Sequence, residues 1–224
     1  MGKLIAIDGV DASGKQTHTE LLAEHLKKAG YKVRRLSFPM YESPTSALVK
    51  MYLSGELGKT AGDVDAYSAS TLFAADRFAS YRSDWHSDFE DPDTIIVADR
   101  YVSSNMIHQA SKIEDIDEKE KFLDWLYGFE FNLYKLPVPD ITIFLDMPPE
   151  YGRKLMEGRD NKFSGDKKLD IHESDFSYLE KSYENAKYVS EKFGWKHILC
   201  VKNDNIRTIE DIQNEIISLT EKIL

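Results

Sequence analysis

An α/β fold, a doubly wound parallel sheet of five strands flanked by helices, is predicted by three features of the chain. Short apolar runs alternate with longer amphipathic stretches along its whole length. Two of the runs, Ile95-Ile96-Val97-Ala98 and Ile141-Thr142-Ile143-Phe144-Leu145, are almost continuously apolar, as strands covered on both faces are. A glycine-rich turn joins the first run, Leu4-Ile5-Ala6-Ile7, to a helical pattern beginning near Lys15. Folds of this class bind ligands at the carboxyl ends of their strands.

In chain order, the first helix carries Leu22, Leu26 and Ala29 on one face and ends at Gly30. Lys32 to Phe38 alternates and reads as the second strand, stopped by Pro39. Helices are expected over Thr45–Leu53 and from Ala66 to about Arg82, the latter with Phe73 and Arg77 on one face. Asp91-Pro92-Asp93 breaks the chain before the third strand, which ends in Asp99-Arg100-Tyr101. Phe122, Trp125, Leu126, Phe129 and Leu133 stand at core spacing in a helix that Pro137 terminates before the fourth strand. A helix from Pro149 leads into residues 158–173, whose charge, glycine and few apolar residues suggest a mobile lid. A long helix from about Asp175, a strand over His197–Val201 and a closing helix follow. In the closing helix Ile209, Ile212, Ile216, Leu219 and Ile223 form the expected buried stripe. With no repeat or linker, residues 1–224 read as a single domain.

Composition excludes several functions. With 39 acidic against 29 basic residues the net charge is −10, so no broad positive field exists to collect nucleic acid or a membrane surface. The lone cysteine, Cys200, rules out an internal disulfide and a cysteine metal cluster, and suits a reducing compartment. Neither a signal peptide nor an apolar run of bilayer-spanning length is apparent, which points to the cytoplasm.

The chemistry is concentrated in Gly9-Val10-Asp11-Ala12-Ser13-Gly14-Lys15-Gln16-Thr17. Strand, glycine turn and helix N-terminus make a P-loop, whose amides and helix dipole cradle the phosphates of ATP while Lys15 reaches the β/γ oxygens. The fold class is therefore of the P-loop NTPase type. The final hydroxyl of the motif is replaced by Gln16, and Thr17 points about 100° away on a helix. Either the Gln16 amide oxygen serves Mg²⁺, or Asp11, Asp99 and substrate phosphates hold the ion and Gln16 only packs; the second suits magnesium's habit of keeping its waters. Asp99 and Arg100, at the end of a buried strand, form either a structural ion pair or, beside a P-loop, a magnesium ligand and a phosphate grip. Phe73 and Arg77 offer a stacking plane and a donor to a flat, carbonyl-bearing base, unless they are plain core and a solvated charge.

Along essentially its whole length the chain resembles the thymidylate kinases (dTMP kinases). The likeness rests on the P-loop with Asp11, on Phe38-Pro39, on Leu72-Phe73-Ala74-Ala75-Asp76-Arg77, on Asp99-Arg100-Tyr101-Val102-Ser103-Ser104-Asn105, and on Leu136-Pro137-Val138-Pro139-Asp140. The resemblance implies ATP and dTMP as substrates, Mg²⁺ as cofactor and a homodimer. It places Asp11 against the sugar 3′-hydroxyl, Phe38 among the dTMP-binding residues, Phe73 on thymine, Arg77 at a base carbonyl, Ser104 and Asn105 as a polar pair at the base, and Arg100 at the acceptor phosphate. Met40 stands where several members have an arginine, leaving more to Arg100 and the Tyr41 hydroxyl. His108 occupies the place of a tyrosine that crowds the sugar 2′ position, or is a satisfied surface histidine. Ala12 replaces a P-loop arginine, so lid arginines, Arg153 or Arg159, are implied as the catalytic cations beside Lys15 and Arg100; Asp170 and Glu173 match the acidic pair closing the lid. The expected activity is Mg²⁺-assisted in-line transfer from ATP to dTMP. Its rivals are another P-loop nucleotide or nucleoside kinase and a nucleotide-binding protein weakened in catalysis.

Overall fold

Strand β1 (Lys3–Asp8) lies at the centre of the sheet because every residue from Leu4 to Ile7 is apolar and fully buried. A computed structural model describes residues 1–156 and 176–224. Around β1 the order is β2 (Lys32–Ser37), β3 (Thr94–Asp99), β1, β4 (Ile141–Asp146), β5 (Lys196–Leu199), all parallel. The register sets Ile7 beside Asp99 and Asp8 beside Phe144, so the carboxyl ends of β1, β3 and β4 open on one edge. Strand alternation divides the core into two layers. Leu4, Ala6, Ile96, Ala98 and Phe144 face one side, where Phe122 and Leu126 pack. Ile5, Ile7, Ile95, Val97, Ile143 and Leu145 face the other, against Leu22, Leu26, Ile212 and Ile216. The edge strand β2 stays polar, with Lys32 and Arg35 exposed, which discourages pairing with another chain.

Helix α1 (Lys15–Lys28) starts at Gly14, whose φ of 86° only glycine adopts without cost. It closes as a Schellman turn: Gly30 N–H donates to Lys27 O and Tyr31 N–H to Leu26 O, with His25, Lys27 and Lys28 at the negative dipole end. Next come α2 (Ala47–Leu53), α3 (Ala66–Ser80), α4 (His86–Glu90), α5 (Val102–His108), α6 (Ile116–Tyr127), α7 (Pro149–Met156), α8 (Phe176–Lys192) and α9 (Ile209–Thr220). Among the described residues, side chains cap α3, α6 and α9: Asp65 accepts from Ser68 N–H, Asp115 from Glu118 N–H and Thr208 from Asp211 N–H.

Several expectations need correction. The helix from Ala66 does not end near Arg82 but passes through a π-helical turn, Tyr81–Trp85, into α4, because nothing breaks it before Asp91-Pro92 and the wider turn brings Trp85 fully inside. A second π turn, Gly128–Leu133, ends α6. It shifts the helix phase, so Leu133 is 69% exposed, while Glu130, four residues beyond Leu126, is buried. The strand expected over His197–Val201 stops at Leu199. Val201 instead joins a two-residue hairpin, β6 (Val201–Lys202) with β7 (Asn205–Ile206), turned by Asn203 and Asp204 with φ of 51° and 58°. In α9 Ile212 and Ile216 are buried, whereas Ile209, the first residue of the helix, is exposed; Ala29 at the end of α1 is exposed as well. The segment 158–173 expected as a lid, with Arg159, Asp170 and Glu173, lies outside the described residues.

Candidate active site

Residues 9–14 turn the chain from β1 into α1 within a tight space. A Cβ on Gly9 would stand 2.7 Å from both Leu145 O and Ser13 Oγ, so only glycine passes. Ala12 sits at a left-handed φ of 60°. The Lys15 ammonium folds back over the loop and donates to Val10 O at 2.6 Å. Burial, together with the nearby Arg100 cation, lowers its pKa to about 8 against the pull of Asp11, Asp99 and Asp8. Gln16 stands apart from this nest: it is exposed, and its Nε2 donates to Glu20 Oε1 at 3.2 Å.

Beside the loop the fold gathers the nine residues assigned to the acceptor nucleotide. Asp11, Phe38, Tyr41, Phe73, Arg77, Arg100, Ser104, Asn105 and His108 all line one pocket, although the sequence scatters them over nearly a hundred positions. Pro39, Leu53, Asp76 and Gln109 complete it.

At the P-loop end, the Arg100 guanidinium pairs with the Asp11 carboxylate and reaches His108 Nε2 at 3.3 Å and Ser104 Oγ at 3.4 Å. Its backbone has a φ of 65°, a conformation that costs a non-glycine residue on the order of 1 kcal/mol and persists where surroundings enforce it. Here the Arg100 N–H donates to Ile7 O at 3.0 Å. Burial opposes the Arg100 charge, yet Asp11, Asp8 and Asp99 outweigh it and raise the pKa above the ordinary arginine value. Asp8 is itself saturated, accepting from Gly9 N–H and from the hydroxyls of Ser103 and Ser104. His108 is buried, so its reading as a surface histidine does not hold.

At the other end Phe38 packs against Trp85 and Tyr101, and Phe73 meets Tyr52 edge-on at 5.9 Å. Arg77 is neither core filler nor a solvated charge. Its Nε and Nη2 each donate to the Glu130 carboxylate at 2.6 Å, and Nη1 reaches Tyr101 O at 3.4 Å. Asn105 Nδ2 donates to the same carboxylate and to Ser70 O, both at 3.2 Å. Asp76 accepts from Met40 N–H and Thr45 Oγ, tying residues 40–45 to α3. Glu130, Asp76 and Gln109 were not singled out in the sequence. Asp76 sits within the motif that names Arg77 and could have been found there; Glu130 carries no local signal.

Asp99 suits a hard cation. Its Oδ1 is buried and has no hydrogen-bond partner among the described residues, while Oδ2 accepts from Ser37 Oγ at 3.3 Å. Asp11, the other candidate ligand, spends its carboxylate on Arg100. Arg153 is exposed on α7, next to Gly152, where an added Cβ would stand 3.2 Å from Asp11 O at the P-loop.

The family model for thymidylate kinase matches residues 7–216. The chain belongs to the thymidylate kinase family. It is 32% identical to the thymidylate kinase of Mycobacterium tuberculosis over 163 residues, 72% of this chain and 74% of that protein. It is 29% identical to a probable thymidylate kinase of Thermococcus onnurineus, covering 97% of this chain and 96% of the other. The thymidylate kinase of Plasmodium falciparum is 27% identical, with 99% and 91% covered. In this member of the thymidylate kinase family the Leu136–Asp140 stretch is structural: Asp140 accepts from Leu4 N–H at 2.8 Å and pairs with Lys3 at 3.0 Å, pinning the start of β1.

Proposed function

We propose that the protein transfers the γ-phosphoryl group of ATP to dTMP, yielding ADP and dTDP. The observation that carries this reading is the convergence of the nine acceptor residues in one pocket against the P-loop. Phe73 stacks on thymine, Arg77 and Asn105 meet its polar edge, Phe38 closes the apolar wall, and Asp11 accepts from the 3′-hydroxyl. His108 borders the sugar, while Arg100 and the Tyr41 hydroxyl take the 5′-phosphate. Loop residues 9–17 and Lys15 hold the donor triphosphate.

An acceptor phosphate oxygen attacks the γ-phosphorus as the bond to the bridging β,γ oxygen breaks. The dianionic acceptor is already a nucleophile, so the chain supplies position and charge in place of a base. Arg100 exchanges Asp11 for the phosphate, which frees the Asp11 carboxylate for the sugar. Lys15 leaves Val10 O for the β/γ oxygens, and its lowered pKa reflects how little water shares the site. Arg153 or Arg159 covers the charge that develops on transfer. Asp99, with its unpartnered oxygen, fits Mg²⁺ together with substrate phosphates, and Asp11 can join it once released. Bound there, the ion neutralises phosphate charge.

The chain acts as one unit in the cytoplasm, and we assign it a homodimer. A continuous aromatic ribbon supports the pairing. Phe78–Tyr134, Tyr134–Phe129, Phe129–Trp125 and Trp125–Tyr67 follow one another with ring centroids 4.6, 4.5, 5.1 and 4.7 Å apart, exposed at Phe78 and Tyr67. No helix among the described residues is long and apolar enough to cross a membrane. The deciding experiment measures ADP formation across a panel of nucleoside monophosphates. dTMP is expected to give the highest kcat/KM; a higher value for a purine or ribo-nucleotide, or ADP formation indifferent to dTMP, refutes the assignment.

A further inference from the structure

Behind the wall of the acceptor pocket, Arg77 is held in a charge pair that the transfer chemistry does not use. Arg77 and Glu130 are 2% and 0% exposed, and the carboxylate takes two parallel N–H bonds of 2.6 Å from the guanidinium. A buried pair of this kind recovers little beyond the cost of stripping water from both charges, and an apolar pair of the same volume is often as stable. Its presence therefore calls for a reason other than stability. Glu130 does not itself line the pocket; Arg77 and Asn105 do, and Glu130 bonds both from behind.

We propose that Glu130 is a positioning residue for substrate selection: it fixes the Arg77 fork and cancels its charge, so that Arg77 presents neutralised N–H donors to a base carbonyl. The inference rests on the reading of Arg77 as a base contact. The donor arithmetic supports it. Of the five guanidinium N–H groups, two go to Glu130 and one to Tyr101 O, which leaves two for a ligand. An uncompensated guanidinium at this depth would attract phosphate into the base end of the pocket. Paired, it leaves Arg100 as the cation for the acceptor phosphate at the opposite end, and the nucleotide enters in one orientation. Glu130 stands in the π turn Gly128–Leu133, four residues beyond buried Leu126, and stays on the inward face while Leu133 turns out to solvent. Asn105, donating to the same carboxylate, completes a shared scaffold behind the two pocket donors.

The test compares Glu130→Gln, Glu130→Asp, Arg77→Gln and the double variant Arg77→Gln/Glu130→Gln, the last removing both buried charges so that it folds without an unpaired ion. Steady-state KM and kcat are measured for dTMP and ATP in each, with thermal melts to establish folding. Glu130→Gln is expected to raise KM for dTMP about tenfold, leave KM for ATP within twofold and change kcat little. Glu130→Asp should recover part of the loss. The double variant should match Arg77→Gln, since a positioning residue has nothing to position once the arginine is gone. Folded Glu130→Gln with an unchanged KM for dTMP, or additive effects in the double variant, overturns the proposal while leaving Arg77 a base contact. An unchanged KM for dTMP in Arg77→Gln overturns the base contact itself, and Glu130 then belongs to a purely structural pair.

Discussion

In the proposed reaction, Gln16 and Asp99 are the two rival holders of magnesium. Gln16 is exposed and bonded to Glu20, directed along the surface of α1, whereas Asp99 presents a buried, unpartnered oxygen at the end of β3. Gln16→Leu is therefore expected to leave both kcat and the Mg²⁺ concentration at half-maximal rate within about twofold of wild type. Asp99→Asn should raise that concentration about tenfold, a carboxylate oxygen being exchanged for a neutral amide. Magnesium titrations of turnover at saturating ATP and dTMP decide it, and the reverse ranking would put the ion on the glutamine. At the same scale Arg100 carries a strained φ, enforced by the hydrogen bond its backbone N–H donates to Ile7 O and by its pairing with Asp11. Its side chain is thus aimed by backbone geometry before any phosphate arrives.

Helix α9 shows how an element can follow its sequence pattern and still depart from it at one end. Ile216 is fully buried against the sheet, while Ile209 protrudes at the N-terminus, 56% exposed. Ile216→Ala should lower the unfolding free energy by about 2–5 kcal/mol and Ile209→Ala by less than about 1 kcal/mol, measured by urea denaturation. Equal costs would mean the stripe runs to the end of the helix. Lys112 offers a test of the segment after α5. Its ammonium donates to Tyr52 Oη at 3.0 Å and Val64 O at 2.9 Å, holding residues 52–64 near the acceptor pocket. Burial lowers its pKa from 10.5 to about 8. Below about pH 8 folded and unfolded chains are both protonated there and the full burial cost is carried. Between 8 and 10.5 the unfolded chain binds more protons, so stability rises with pH. Relative to Lys112→Met, the wild type should gain on the order of 1–3 kcal/mol across that interval, read from paired denaturation curves. A constant difference would show that the lysine loses no proton on this range.

For the whole molecule, the proposed homodimer puts a second copy over the aromatic ribbon from Phe78 to Tyr67. Sedimentation velocity should find the wild type dimeric, and Phe78→Glu, with a charge at the exposed end, should weaken the dimer at least tenfold in dissociation constant. A monomeric wild type refutes the homodimer, and an unaltered dimer moves the interface elsewhere. The sheet order β2-β3-β1-β4-β5 matters at this scale as well. The chain passes from β1 outward to β2, back through β3 beside β1, and then across to β4, so the P-loop opens where the winding reverses.

Much of this was determined by the sequence alone. Continuous apolar runs define the buried parallel strands, the glycine turn marks the strand-to-helix junction, and spaced motifs mark residues that the fold gathers into one pocket, because each is a local pattern with a local physical cause. Phe73 and Arg77 share a face by helical spacing, and Asp99 with Arg100 follows a strand that must be central. The tertiary structure decided what each polar group meets. In the sequence Glu130 is not singled out, Leu133 stands at core spacing, and His108 is either at the sugar 2′ position or a satisfied surface histidine. The π turn, the ion pair across 53 residues between Arg77 and Glu130, and the packing of α5 behind Arg100 assign them otherwise. Such outcomes depend on helix phase and on partners distant in the chain. No local periodicity encodes them, since desolvation makes a buried charge tolerable only where its partner also arrives.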